Sequence, residues 1–124
     1  MKEFSGIDHP AIAAENVETL AKWYCEVLGY KVHIRTERPV YLLEAPDKTM
    51  LEIMPCDHTQ RPERTVHTPG LSHLALRVTN FEKASNWLNK HRVEWAGDEF
   101  VAIGNARIRN LYDPEKNVIQ IVER

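Results

Sequence analysis

Residues 70–88 read GLSHLALRVTNFEKASNWL, and the chain has already spelled this pattern once. A shift that carries Gly6 onto Gly70 also carries His9 onto His73, Ala11 onto Ala75, Asn16 onto Asn80, Glu18 onto Glu82 and Trp23 onto Trp87. Further along, PDKTMLEIM (Pro46–Met54) falls on PEKNVIQIV (Pro114–Val122). That pairs Pro46 with Pro114, Lys48 with Lys116, Ile53 with Ile121, and Glu52 with Gln120. A repeat confined to apolar positions would reflect only a shared core pattern. Here polar residues recur as well. Two of the recurring polar pairs, His9/His73 and Glu52/Gln120, are residue types that ligate metals.

Working outward from the quoted stretch, each copy opens on a strand. Leu74, Leu76 and Val78 alternate with His73, Ala75 and Arg77, so one face is apolar and the other carries a histidine and an arginine. The first copy repeats this with Ile12 and Ala14 against His9, Ala11 and Ala13. A helix follows in each. Asn16 and Asn80 stand where an N-cap is expected, and Glu18 and Glu82 fall in the first turn, where negative charge suits the helix dipole. Val17, Leu20, Ala21, Tyr24 and Leu28 keep helical spacing, as do Phe81, Ala84 and Leu88, and Gly29 is a C-terminal stop. The period then turns strand-like over Lys31–Thr36, Val40–Glu44 and Met50–Met54 in the first copy, and over Val93–Ala96, Ala106–Tyr112 and Val118–Val122 in the second. Pro46-Asp47 and Pro114-Glu115 mark turns between the last two strands. Residues 98–105 (DEFVAIGN) follow neither period, and unequal spacing displaces the second strand of the second copy.

The reading is therefore an α+β fold, a single domain over 1–124. Module 1 spans about 5–55, a linker about 56–69 and module 2 about 70–124, each module a βαβββ unit. One helix on one sheet face leaves the other face bare. Two modules cover those faces by pairing into a concave mixed sheet with helices outside.

Composition fits such a domain. The chain has 124 residues, with 43% hydrophobic and 27% charged, enough to bury a core. A net charge of −2 without a basic run argues against a nucleic-acid surface. No apolar stretch is long enough to span a membrane, and MKEFSGIDHP does not read as a signal peptide. Cys25 and Cys56 belong to no CxxC motif and read as free thiols of a cytoplasmic protein.

The repeat selects the chemistry. If the apolar faces hold the helices, His9, Glu52, His73 and Gln120 all face the concave side. Two imidazoles, a carboxylate and an amide carbonyl make an N2O2 set for a divalent ion such as Fe, Mn, Co, Ni or Zn. Four protein ligands on an octahedral ion leave two adjacent positions, which can take both oxygens of a substrate bearing neighbouring carbonyl, hydroxyl or carboxylate groups. The ion then acts as a Lewis acid, stabilising an enediolate or activating an oxygen. Arg77 shares the face of His73 and is a candidate for binding a substrate carboxylate or phosphate. Arg107 and Arg109, flanking Ile108, are further candidates. His33, His58, His67 and His91 lie outside the repeat and read as surface or loop residues. Trp23 and Trp87 read as core or interface, and Tyr112 as packing.

IDHPAIAAENVETLAKWYCEVLGYKV, GLSHLALRVTNFEKASNWL and YDPEKNVIQIVE together resemble the vicinal oxygen chelate superfamily, which includes glyoxalase I, methylmalonyl-CoA epimerase, extradiol dioxygenases and the fosfomycin- and bleomycin-resistance proteins. The resemblance covers nearly the whole chain. It implies the fold above, a homodimer, and metal ligands on the first and last strands of each module, which here are His9, Glu52, His73 and Gln120. Three of these match the glyoxalase I-like pattern; Gln120 stands where glutamate is usual. Glutamine can ligate but cannot take a proton, so Glu52 is the candidate for both ligand and general base. The resemblance implies a metal-dependent lyase or isomerase acting on a small metabolite. Its alternatives are a metal-free small-molecule binding protein like the bleomycin-resistance proteins, and a non-haem Fe(II) dioxygenase using His9, His73 and Glu52. A third is a protein acting through its dimer surface.

Overall fold

A computed structural model describes residues 2–124, which divide into two compact units meeting between Gln60 and Arg61. The first unit contains β1 (Ala11–Ala14), α1 (Val17–Leu28), β2 (Lys31–Arg35), β3 (Tyr41–Glu44) and β4 (Met50–Pro55). Its sheet runs β1-β4-β3-β2, with β1 parallel to β4 and the other pairs antiparallel. This is the expected βαβββ order.

The ends of α1 are set by local chemistry. Asn16 is extended (φ −127°), and its side-chain oxygen accepts the Thr19 backbone N–H at 3.0 Å. At the other end Gly29 takes a left-handed conformation (φ 78°) that turns its N–H onto the Tyr24 carbonyl. The helix buries Val17, Leu20, Ala21, Tyr24 and Val27 and lies on β1, β3 and β4, whose buried residues are Ala14, Leu43, Leu51 and Ile53. Each large aliphatic chain buried there contributes about 1.5–3 kcal/mol. Strand register separates this apolar face from the other. Ile12 pairs with Ile53 and Leu43 with Leu51, whereas Glu52 pairs with Ala11 on one side and Leu42 on the other. Glu52 thus projects from the face away from the helix.

The second unit contains β5 (Leu74–Arg77), α2 (Phe81–Lys90), β6 (Glu94–Trp95), β7 (Phe100–Ala102), β8 (Ala106–Tyr112) and β9 (Val118–Glu123). Its sheet runs β5-β9-β8-β6, and β7 also pairs with β8. Asn80 caps α2 as Asn16 caps α1, accepting the Lys83 N–H at 2.9 Å. The segment 98–105, which followed neither period, resolves here. β6 pairs with Leu111 and Tyr112 of β8, and β7 with Ala106–Ile108. They occupy one edge of β8 in succession, so the second strand of this copy is broken in two rather than displaced. A 3-10 turn over Ile103–Asn105, with Gly104 at φ 73°, joins β7 to β8.

Two further findings refine the sequence reading. The stretch expected as a linker is built onto the second unit from Arg61 onward. Arg61 donates to the Glu115 carbonyl and to Asn117 Oδ1, and Arg64 to the Thr68 and Leu71 carbonyls. The repeated turns share a backbone as well as residue types: Lys48 (φ 75°) and Lys116 (φ 67°) are both left-handed. Among the described residues no helix is long and apolar enough to cross a membrane.

Candidate metal centre

Each unit carries one histidine within two residues of its first strand and a polar residue, Glu52 or Gln120, inside its last. In the first unit the His9 Nε2 lies 3.4 Å from Glu52 Oε2. The contact follows from the topology: Glu52 stands beside Ala11 across the parallel β1–β4 pair, and strand alternation returns His9 to the same face. In the second unit Gln120 stands beside Ala75 in the parallel β5–β9 pair, and alternation again puts His73 on that face, where Arg77 also lies. The two units thus repeat the register as well as the residue types.

The nitrogen each histidine can offer is decided by the residue before it. Asp8 Oδ2 lies 2.6 Å from His9 Nδ1. The Asp8 contact, chiefly its hydrogen bond, raises the His9 pKa above the ordinary 6.5. In the second unit Ser72 Oγ donates its proton to the Val66 carbonyl at 2.7 Å, and His73 Nδ1 lies 2.8 Å from the same oxygen. The hydroxyl proton is already committed, so Nδ1–H of His73 must be the donor in that contact. In both units Nδ1 is therefore engaged by the preceding residue, leaving Nε2 as the lone-pair nitrogen, which is how a metal-ligating histidine is held. Asp8 and Ser72 occupy equivalent places in the repeat, and the sequence reading missed them because their residue types differ.

The oxygen donors differ in kind. Glu52 is partly accessible, its side chain 28% exposed against 35% for His9, so an ion could reach both. Gln120 is buried, and its amide nitrogen donates to Asn110 Oδ1 at 3.0 Å. That bond fixes the amide and leaves the carbonyl oxygen as its available donor atom for an ion. The His9–Glu52 separation also suits a shared ion, since donors bound at about 2.1 Å stand roughly 3.0–3.4 Å apart. Without an ion or an added proton, two lone pairs would face each other across that gap. The residues present therefore fit a divalent cation.

Arg107 and Arg109 depart from their expected place. Asn110 pairs with Gln120, Arg109 with Ile121 and Arg107 with Glu123, so both arginines project from the opposite face of the sheet to Gln120. Arg107 binds Glu99 and Glu82 there and lies over the Phe81 ring at 4.1 Å. The Glu99 and Glu82 hydrogen bonds hold its guanidinium well above its usual range, and Glu99 is lowered in turn, chiefly by its bond from Arg107. Arg109 stacks over Trp95 at 4.0 Å and donates to the Gly97 carbonyl. Of the three arginines only Arg77 shares the Gln120 face.

The remaining histidines sit outside this arrangement. His33 lies on exposed β2, and His91 caps α2 with Nδ1 near the Trp87 carbonyl and its ring against that indole. Trp87 is itself exposed on its helix, and Trp23 makes an edge contact with Tyr24.

Comparison with known proteins agrees with this architecture. The family model described as the glyoxalase/bleomycin resistance protein/dioxygenase superfamily matches residues 6–121. A glyoxalase family protein from Enterococcus faecalis is 26% identical, with a TM-score of 0.78 over 97% of this chain and 98% of that one. A putative glyoxalase family protein from Bacillus anthracis is 21% identical, with a TM-score of 0.78 over 100% and 98%. Lactoylglutathione lyase from Agrobacterium tumefaciens is 14% identical, with a TM-score of 0.75 over 98% and 96%. No curated protein matches the chain significantly. The family match spans nearly the whole chain, both units included, and the chain belongs to the glyoxalase/bleomycin resistance protein/dioxygenase superfamily.

Proposed function

We propose that the protein is a metal-dependent lyase or isomerase of the glyoxalase-like kind, with His9, Glu52, His73 and Gln120 as the ligands of one divalent ion. The observation that carries this reading is the paired histidine geometry: in each unit a neighbour engages Nδ1 and Nε2 is left on the face of a carboxylate or amide oxygen donor. A Lewis-acidic ion held by this set would polarise two neighbouring oxygens of a small metabolite.

The side chains then divide the work. Glu52 is the one carboxylate among the four, so it alone can both ligate and take a proton from a carbon next to the bound oxygens. Gln120 contributes a neutral oxygen fixed by Asn110 and leaves the site one negative charge short of a two-carboxylate set. Asp8 holds the His9 ring and makes its Nε2 a stronger donor. Arg77, exposed on the Gln120 face, is placed to attract an anionic group of the substrate.

Metal analysis of untagged protein is the test. One equivalent of ion, lost on His73→Ala, is the expected result. If added Ni, Mn, Fe or Zn raises neither occupancy nor thermal stability, the reading fails, and a metal-free binding protein takes its place. Where metal binds, Gln120→Glu probes the chemistry. A gain of at least about tenfold in kcat/KM on 2-oxoaldehyde hemithioacetals, on the order of 1.4 kcal/mol in the barrier, is expected if the substrate is of that type. Background rates in both forms would exclude glyoxalase I chemistry while leaving the metal site standing.

A further inference from the structure

A second group of ligating side chains lies in the first unit, apart from the four residues above. Glu15 directly follows β1 and Cys56 directly follows β4. The two strands are paired in parallel with Ala14 beside Pro55, and the Cys56 N–H reaches the Ala14 carbonyl at 3.0 Å. The sheet therefore delivers a carboxylate and a thiol side by side at one end of the strand pair. His58 completes the group. Its backbone is left-handed (φ 65°), and its imidazole returns to the pair, with Nδ1 3.0 Å from Glu15 Oε2 and 3.5 Å from Cys56 Sγ. One ligand atom from each residue lies within 4.8 Å of the others.

The geometry discriminates between two uses. A thiol–histidine relay engages both ring nitrogens, one toward the sulfur and the other toward the orienting carboxylate. Here sulfur and carboxylate converge on the same nitrogen, so the arrangement does not form a relay. Convergence is instead what a shared cation requires. A tetrahedral zinc-type ion, with bonds of about 2.3 Å to sulfur and about 2.0–2.1 Å to nitrogen and oxygen, holds its S and N donors roughly 3.5 Å apart and its N and O donors roughly 3.3 Å apart. The observed 3.5 and 3.0 Å are close to both values.

The geometry points to a second metal site, Glu15–Cys56–His58, for a borderline-soft divalent cation such as Zn²⁺. Three protein ligands leave the fourth position open. His58 and Glu15 are largely exposed, so that position faces solvent and the ion exchanges with the medium. Binding displaces the thiol proton to water as the thiolate forms, so occupancy rises with pH. The site is independent of the four-residue set and does not share its donor chemistry, since that set contains no sulfur.

Titration of the full chain with Co²⁺, after chelation and reduction, separates the two sites. A near-ultraviolet thiolate-to-cobalt charge-transfer band is expected, saturating at one equivalent in His73→Ala, where the four-residue site is removed, and abolished by added Zn²⁺. It should be lost in Cys56→Ser and in His58→Ala, and kept in Cys25→Ser, His9→Ala and His73→Ala. The absence of a band, its survival in Cys56→Ser or His58→Ala, or its loss in Cys25→Ser would overturn the proposal. None of these results bears on the four-residue site, whose ligands give no such band.

Discussion

A histidine offers a metal one nitrogen, and the partner of the other nitrogen sets how strongly. The two units answer this differently: Asp8 gives His9 a carboxylate, and Ser72 gives His73 a hydroxyl. His9 consequently titrates above 6.5, with the hydrogen bond that its Nδ1–H donates to Asp8 as the main cause. The sign follows from linkage. A raised folded-state pKa means that the folded protein binds this proton more tightly than the unfolded chain does. The resulting stabilisation is fully present below about pH 6.5 and fades as pH rises through the folded value. Asp8→Asn is therefore expected to lower the stability of the metal-free protein in mild acid and to leave it unchanged in mild alkali, as thermal melts across that range would show. Metal binding should respond in the opposite sense. In mild alkali proton competition is absent, and the variant should bind Ni²⁺ or Zn²⁺ about 10–100-fold more weakly through loss of the carboxylate behind the ring. Toward acid the gap should narrow, because the parent's His9 protonates first. Equal affinities at alkaline pH, measured by calorimetry in the Cys56→Ser background, would show that Asp8 does not support a ligand.

The elements explain why some of this was legible in the sequence and some was not. Caps, turns and strand faces are local: Asn16 and Asn80 each bond a backbone N–H three residues on, and alternation alone places Glu52 on the face opposite Leu51 and Ile53. Such features survive in a one-dimensional pattern. Features fixed by long-range pairing do not. The broken second strand exists because β8 offers one edge to two short segments: strand-like spacing covers Glu94–Trp95, but Phe100–Ala102 carries no period of its own. Arg107 and Arg109 were misplaced for the same reason, since only the β8–β9 register shows that they stand opposite Gln120. The Glu15–Cys56–His58 group was invisible because its members meet only through the β1–β4 pairing. Helix α2 supports a prediction of its own. Ser85 is partly buried, and its hydroxyl is the one buried side-chain polar atom among the described residues without a hydrogen-bond partner. An unsatisfied hydroxyl is costly, and serine is a poorer helix former than alanine. Ser85→Ala should stabilise the protein by about 0.5–1.5 kcal/mol, read as a higher denaturation midpoint at unchanged slope. A lower midpoint would mean that the hydroxyl has a partner in solution.

For the whole molecule the duplication sets up a test that neither unit provides alone. The repeat covers strands, caps and left-handed lysines, so a shared ancestral unit accounts for the fold of both halves. It does not account for the difference between the equivalent positions, a carboxylate on β4 and an amide on β9. Two independent half-sites would each have reason to keep a carboxylate, because a neutral pair such as His73 and Gln120 holds a divalent ion weakly. On the proposed function, with all four residues as ligands of a single ion, only one carboxylate is needed for ligation and proton transfer. The two arrangements differ in their thermal response. At a free Ni²⁺ concentration of about 100 times Kd, a single binding event stabilises the folded protein by about 2.7 kcal/mol, enough to raise Tm by several degrees. In the Cys56→Ser background, which removes the sulfur site, His9→Ala alone and His73→Ala alone should each abolish nearly all of that gain. With separate ions, His73→Ala would keep most of the shift, because His9 and Glu52 would still hold theirs. The response of His73→Ala is the more telling, since an ion held by His9 and Glu52 alone would not register the loss of a histidine in the other unit.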